Sequence, residues 1–172
     1  MPELTPKRPA ESATEMVQVV LPNDANPLGF ILGGTVMHLI DIAGAIACHR
    51  HTRSLLVTAA VDDLQFLHPI KVGDLIILKS RVTCVFTTSL EAQVDVYSEE
   101  TLTGRRRLTS RAFLTFVSID TGGRRLTIPP LILETPVEKQ KAAEAEVRRA
   151  ERLRARRELE LRLGEGQDQP QR

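Results

Sequence analysis

The chain has 172 residues, with 23 Lys and Arg against 22 Asp and Glu, so a net charge of +1 provides no global field to draw nucleic acid or an acidic surface. Its 42% apolar content is enough for a core, while the absence of Trp and a single Tyr leave no stacking platform for bases. Two cysteines, Cys48 and Cys84, form neither a disulfide framework nor a metal-type spacing and read as buried, reduced thiols of a cytoplasmic protein.

Residues 1 to 13 are polar and proline-rich, lack the apolar stretch of a secretory signal, and read as a disordered leader. Residues 16 to 21 (Met-Val-Gln-Val-Val-Leu) form a short strand ended by Pro22, and residues 23 to 29 a turn-rich loop. From Gly34 to about Arg50 the apolar content is continuous, interrupted before Cys48 only by His38 and Asp41; a helix that is greasy nearly all round is a buried one. Four strands follow, over residues 55 to 66, 75 to 86, 90 to 97 and 106 to 119. In the second, Ile76, Leu78, Val82, Cys84 and Phe86 share a face; in the third, Ala92, Val94 and Val96 alternate with Glu91, Gln93 and Asp95. Short turns between them favour antiparallel pairing, and one long helix against one curved sheet is an α+β architecture, over residues 14 to 133. Thr135-Pro136-Val137-Glu138 is a capping box that starts a charged helix running to Leu163, with residues 164 to 172 as a disordered tail. Glu interleaved with Arg reads as a solvated helix laced with i,i+4 pairs, against the rival of a nucleic-acid patch. No apolar run is long enough to span a bilayer.

Chemistry concentrates between Asn26 and Asp41. Gly34, His38, Asp41 and Ala45 are spaced four, three and four, on one face of the helix. An unpaired carboxylate inside an apolar helix costs several kcal/mol, so Asp41 is either satisfied by a neighbouring strand or kept for chemistry. Gly33 and Gly34 place free N–H groups at the positive end of the helix, fit to hold an oxyanion, although close packing alone also explains two glycines. Asn26 before Pro27 is equally a turn residue. His49 and His51 read as support for the helix C-terminal dipole. No histidine and acid set has metal spacing, and no Ser sits in a nucleophile elbow.

The run Ala25-Asn26-Pro27-Leu28-Gly29-x-x-x-Gly33-Gly34, followed by Leu39-Ile40-Asp41, resembles the hotdog-fold acyl-CoA thioesterases, in particular the cytosolic brain-type hydrolases and their short bacterial relatives. The likeness continues through Val57-Thr58-Ala59-Ala60-Val61-Asp62-x-Leu64-x-Phe66, Pro69-Ile70-x-x-Gly73-Asp74, Thr87-Thr88-Ser89 and Ala112-Phe113-x-Thr115-Phe116. It implies a central helix wrapped by an antiparallel sheet, two units paired edge to edge with sites at their shared interface, and three dimers in a hexamer. It implies that Asp41 is the general base, or less often a nucleophile, that Asn26 positions water or carbonyl from the opposite subunit, and that the Gly34 N–H is the oxyanion donor. Gly33, Phe66, Thr88 and Ser89 then contact substrate, with Arg81 among the cations available to coenzyme A phosphates. The implied reaction is hydrolysis of fatty acyl-CoA, needing no metal or other cofactor and no nucleic-acid or membrane partner. The alternatives on the same fold are a hotdog hydratase, whose paired acid and histidine have no match here, and a non-catalytic acyl-CoA sensor.

Overall fold

Val, Ile and Leu at every second position give the long strands one apolar face each, and those faces close over a single helix. The computed structural model describes residues 4–166. In chain order it has a helical turn α1 (Pro9–Ser12), β1 (Thr14–Val19), α2 (Gly33–Thr52), β2 (Leu55–Phe66), β3 (Leu75–Val85), β4 (Ser89–Glu99), β5 (Arg106–Ile119) and α3 (Pro136–Gly166). The sheet is antiparallel throughout, in the order β1-β3-β4-β5-β2. Pairing through short turns holds for β3, β4 and β5. β2 instead joins β5 at the far edge, because the eight-residue connection 67–74 lets the chain cross the sheet. β1 and β2 thus flank α2 from opposite edges, the wrapped arrangement of a hotdog fold.

The core lies between α2 and the concave face of the sheet. Val36, Leu39, Ile40 and Ala43 of α2 meet Leu78, Val94, Leu114 and Phe116, all buried; each such side chain contributes about 1.5–3 kcal/mol on leaving water. Helix and sheet approach closely at Gly44, where a Cβ would stand 3.2 Å from Phe116 Cε2. Ser80 interrupts the apolar face of β3, and its hydroxyl donates to the Ala43 carbonyl at 2.7 Å. Cys84 and Phe86 depart from the sequence pattern. Val82 pairs with Ala92 but Cys84 with Glu91, so the extra residue Thr83 makes a bulge that turns Cys84 to the outer face. There Cys84 and Phe86 meet the segment after β5 and α3.

Residues 4 to 13, expected to be disordered, are structured. Lys7 bridges to Leu131, and its ammonium donates to the Arg50 and His51 carbonyls at 3.0 and 2.7 Å, a cation at the C-terminal end of α2. The expected dipole role of His51 is also replaced. Its ring is fully buried, Nε2 donates to the Pro129 carbonyl at 2.8 Å, and Nδ1 has no protein partner. Protonation would leave a buried, unpaired N–H, and burial, aided by nearby Lys7, lowers the imidazole pKa. The folded state therefore keeps the neutral ring. Its contribution is complete above the ordinary value of 6.5 and is lost as pH falls through the lowered folded-state value. Urea midpoints measured between neutral pH and pH 5 should fall for the native protein, and fall less for His51→Gln; equal slopes would contradict this origin.

α3 begins with the expected box. Glu138 N–H donates to Thr135 Oγ1 at 3.2 Å, and Thr135 N–H to the Glu138 carboxylate at 2.9 Å. The helix then runs through Gly164 to Gly166 instead of stopping at Leu163; the rest of the expected tail, residues 167–172, lies outside the described residues. The first half of α3 is not a solvated helix. It docks on the outer face of the sheet, where Arg148 makes a two-pronged pair with the buried Glu91 at 3.0 and 2.8 Å and lies 3.7 Å above the Phe113 ring. Lys141 donates to Gln93 and Arg152 to Asp62. The second half carries the expected i,i+4 ion pairs, such as Arg156 with Glu160 at 2.7 Å. No helix among the described residues is long and apolar enough to cross a membrane.

Candidate active site

The loop before α2 is organised by Asn26. Its side-chain Oδ1 accepts from the N–H groups of Leu28 (3.0 Å) and Phe30 (3.2 Å), and its backbone N–H donates to the Phe30 carbonyl. Gly29 takes the left-handed conformation, φ +78°, that this tight turn requires. The carbonyl half of the Asn26 amide is thereby committed to the loop, and its Nδ2 is the half left for another group.

The same loop delivers the N-terminus of α2. Val36 N–H makes the first intrahelical bond, to Leu32 at 3.1 Å, and no side chain caps the helix. The N–H groups of Gly33, Gly34 and Thr35 precede that bond at the positive end of the helix. Asn26, Gly33 and Phe66 line one cleft of about 340 Å³, together with Ile31, His68 and Ser110. The Phe66 ring lies so close to Gly33 that a Cβ there would contact its Cζ at 3.5 Å.

Asp41 is two turns further along α2, roughly 10 Å by helix rise. It is half-buried, and Thr58 of β2 donates its hydroxyl to Asp41 Oδ1 at 2.7 Å. The strip of α2 that carries Asp41 is not enclosed within one chain. Gly33, Gly34, Met37 and His38 are exposed, because β2 ends the sheet on that side. The structure thus brings Asn26, Gly33 and Phe66 together at one end of the strip and pairs Asp41 with Thr58 at the other. Thr88 lies in the β3–β4 turn and Ser89 opens β4; Ser89 pairs with Val117, which pairs with Val57, so both lie at the Thr58 end of the sheet. Arg81 stands apart from both groups, paired with Gln93 on the outer face near Glu138 and Lys141. Thr58 escaped the sequence reading: a hydroxyl 17 residues after an acid has no local signal, and only the pairing of α2 with β2 joins them.

Neither thiol is a nucleophile in waiting. Burial pushes Cys84 up to about 11 and Cys48 well above its ordinary value, so both stay protonated at neutral pH. Among the described residues no group of three His, Cys, Asp or Glu side chains is arranged to hold a metal.

The profile of the thioesterase superfamily matches residues 28–104. A Bacillus subtilis protein described as an uncharacterized acyl-CoA thioester hydrolase is 39% identical over 128 residues, covering 74% of each chain. The chain belongs to the thioesterase superfamily. A human relative in the superfamily, the cytosolic acyl coenzyme A thioester hydrolase, is 32% identical over 83% of this chain, which spans only 38% of that protein. Among solved members, the acyl-CoA hydrolase of Staphylococcus aureus, studied in complex with butyryl coenzyme A, coenzyme A and coenzyme A disulfide, superposes with a TM-score of 0.83 at 32% identity, covering 95% of this chain and all of that one. It was also solved as separate Asn-to-Ala, Asp-to-Ala and Thr-to-Ala variants. Those three positions are spaced 15 and 17 residues apart, the spacing of Asn26, Asp41 and Thr58 here. A superfamily thioesterase described as hexameric superposes at 0.83 with 36% identity, covering 87% of this chain and 97% of that one.

Proposed function

We propose that this protein hydrolyses fatty acyl-CoA to a free fatty acid and coenzyme A, with two equivalent sites in a homodimer. The reading is carried by one observation: a carboxylate held by a strand hydroxyl shares an exposed strip with a helix N-terminus that no side chain caps. Asp41 takes a proton from water, the water oxygen attacks the thioester carbonyl, and the N–H of Gly34 holds the oxyanion as the C–O bond forms. The C–S bond then breaks, the coenzyme A thiolate leaves and takes the proton held by Asp41, which restores the base, and the carboxylic product ionises to solvent. Water is the only co-reactant.

Two copies complete the site. β2 is an edge strand with Val57 and Val61 exposed, a surface that invites pairing. A two-fold axis that pairs two β2 strands antiparallel sets the Phe66 end of one against the Leu55 end of the other. Asn26 and Gly34 at the first end then approach Asp41 and Thr58 of the second copy, which removes the 10 Å gap within one chain. Three such dimers make the hexamer, as the hexameric relative supports. Thr88 and Ser89, at the Thr58 end, line the substrate from that side, and Phe66 lines it from the other. The protein works in the cytoplasm, like the cytosolic relative.

The commitment of Asn26 Oδ1 to its own loop fixes its part: it can offer only the Nδ2 hydrogens, so it donates to the carbonyl or its oxyanion. Asn26→Asp keeps the acceptor that organises the loop and removes the donor. Turnover should drop about 10²-fold or more, the scale of losing one oxyanion donor, with the thermal midpoint unchanged. Undiminished turnover would take Asn26 out of the reaction. The whole reading is tested by thiol release, followed with a thiol-reactive dye across acyl-CoAs of increasing chain length; binding of these thioesters without thiol release would mark a sensor instead.

A further inference from the structure

α3 continues well past its last contact with its own sheet. Its contacts follow the strand order across the outer face: Ala142 and Glu146 lie by Cys84 of β3, Arg148 reaches Glu91 of β4 and Phe113 of β5, and Arg152 reaches Asp62 of β2. β2 is the last strand of the sheet. Yet the helix continues from Arg152 to Gly166, about 14 residues or roughly 21 Å at 1.5 Å each, the width of about four further strands.

The side chains change character at that boundary. The stripe facing the sheet runs through Ala145, Arg148 and Arg152, whose guanidinium groups meet acids of the subunit's own sheet. Continued at the same three- and four-residue spacing it becomes Ala155, Leu159 and Leu163. Leu159 and Leu163 are 56% and 62% exposed, and every residue from 153 to 163 is open to solvent in the single chain. A helix segment of that length without tertiary contacts is marginal in water.

We infer that residues 153 to 163 of α3 cross the dimer seam and dock, through Ala155, Leu159 and Leu163, on a second copy of this chain. The inference rests on the dimer through β2 stated above: with a partner's β2 continuing the sheet, the ground past Asp62 is the outer face of the partner, and the leucine stripe already points toward it. The occupant is therefore the other subunit of the same dimer. Each subunit would strap its neighbour by the same helix that clasps its own sheet, coupling the closure of the seam, and with it the shared sites, to the C-terminal helix.

The test combines sedimentation of the full chain with hydrogen exchange across dilution. Leu159→Glu/Leu163→Glu changes two side chains exposed in the monomer, so each subunit keeps its fold. Dimer dissociation should become about tenfold or more easier. In the native protein, amides of residues 153 to 163 should be protected at concentrations where the dimer persists and lose protection on dilution as it dissociates. A native dimer whose 153–163 amides exchange freely, or a double variant that dimerises as tightly as the native chain, overturns the strap and leaves the dimer and its activity standing. A double variant that remains a tight dimer and loses only the hexamer also overturns it, placing the leucines between dimers. A native chain that is monomeric at micromolar concentration sinks the shared-site dimer together with the strap.

Discussion

Asp41→Asn should lower turnover about 10³-fold, the contribution of a positioned general base, and leave folding and assembly intact. The substitution is close to isosteric, and an Asn oxygen can accept the Thr58 hydroxyl as the carboxylate does at 2.7 Å. What it removes is the proton acceptor alone. A variant with native melting behaviour and native acyl-CoA binding, but with thiol release slowed about 10³-fold, is the expected result. Thiol release at the native rate would remove Asp41 from the chemistry and leave it a structural carboxylate tied to β2.

The largest effect on stability should come from the outer face of the sheet. Glu91 is 1% exposed, and its charge is met by both prongs of Arg148 and by the Thr83 hydroxyl at 2.7 Å. Arg148→Ala strands that carboxylate under α3 and removes the guanidinium from the Phe113 face. The loss should be about 3–5 kcal/mol, because an uncompensated buried charge costs far more than the pair contributes. Glu91→Leu combined with Arg148→Met removes both charges and should recover most of the loss. Urea midpoints compared at one fixed protein concentration measure this, since subunit association also shifts apparent stability. A small loss in Arg148→Ala would mean that α3 leaves the sheet easily and lets water reach Glu91.

What the sequence made readable was what local chemistry decides. β2 and β5 begin and end where the apolar runs do, at 55–66 and 106–119. The Thr135 and Glu138 box is complete within four residues, and the three glycines around Asn26 announce a tight loop running into a helix. The wrapped α+β fold followed from one greasy helix among alternating strands. Features that depend on distant partners stayed hidden. The bulge at Thr83 turns Cys84 outward because Glu91 pairs with it; His51 is buried by Pro129 from 78 residues away. Arg148 and Arg152 look like ordinary surface charge until their acids on β4 and β2 are seen. The site divides in the same way. Asn26 and the glycines lie within one local stretch, whereas the Thr58 bond to Asp41 exists only once α2 lies against β2. Arg81, a candidate for phosphate by charge alone, stands exposed on the outer face near Glu138 and Lys141, and only the strand register shows which face that is.

The most direct measurement is thiol release from a mixture of two weakened chains, Asp41→Asn and Asn26→Asp, unfolded together and refolded. If each site joins Asn26 of one subunit to Asp41 of the other, every mixed dimer holds one site with both native side chains. The mixture should then regain about a quarter of native activity, since half of the dimers are mixed and each has one intact site. Activity no greater than the sum of the two separate variants, from a mixture shown to contain mixed dimers, would contradict a site shared across the seam.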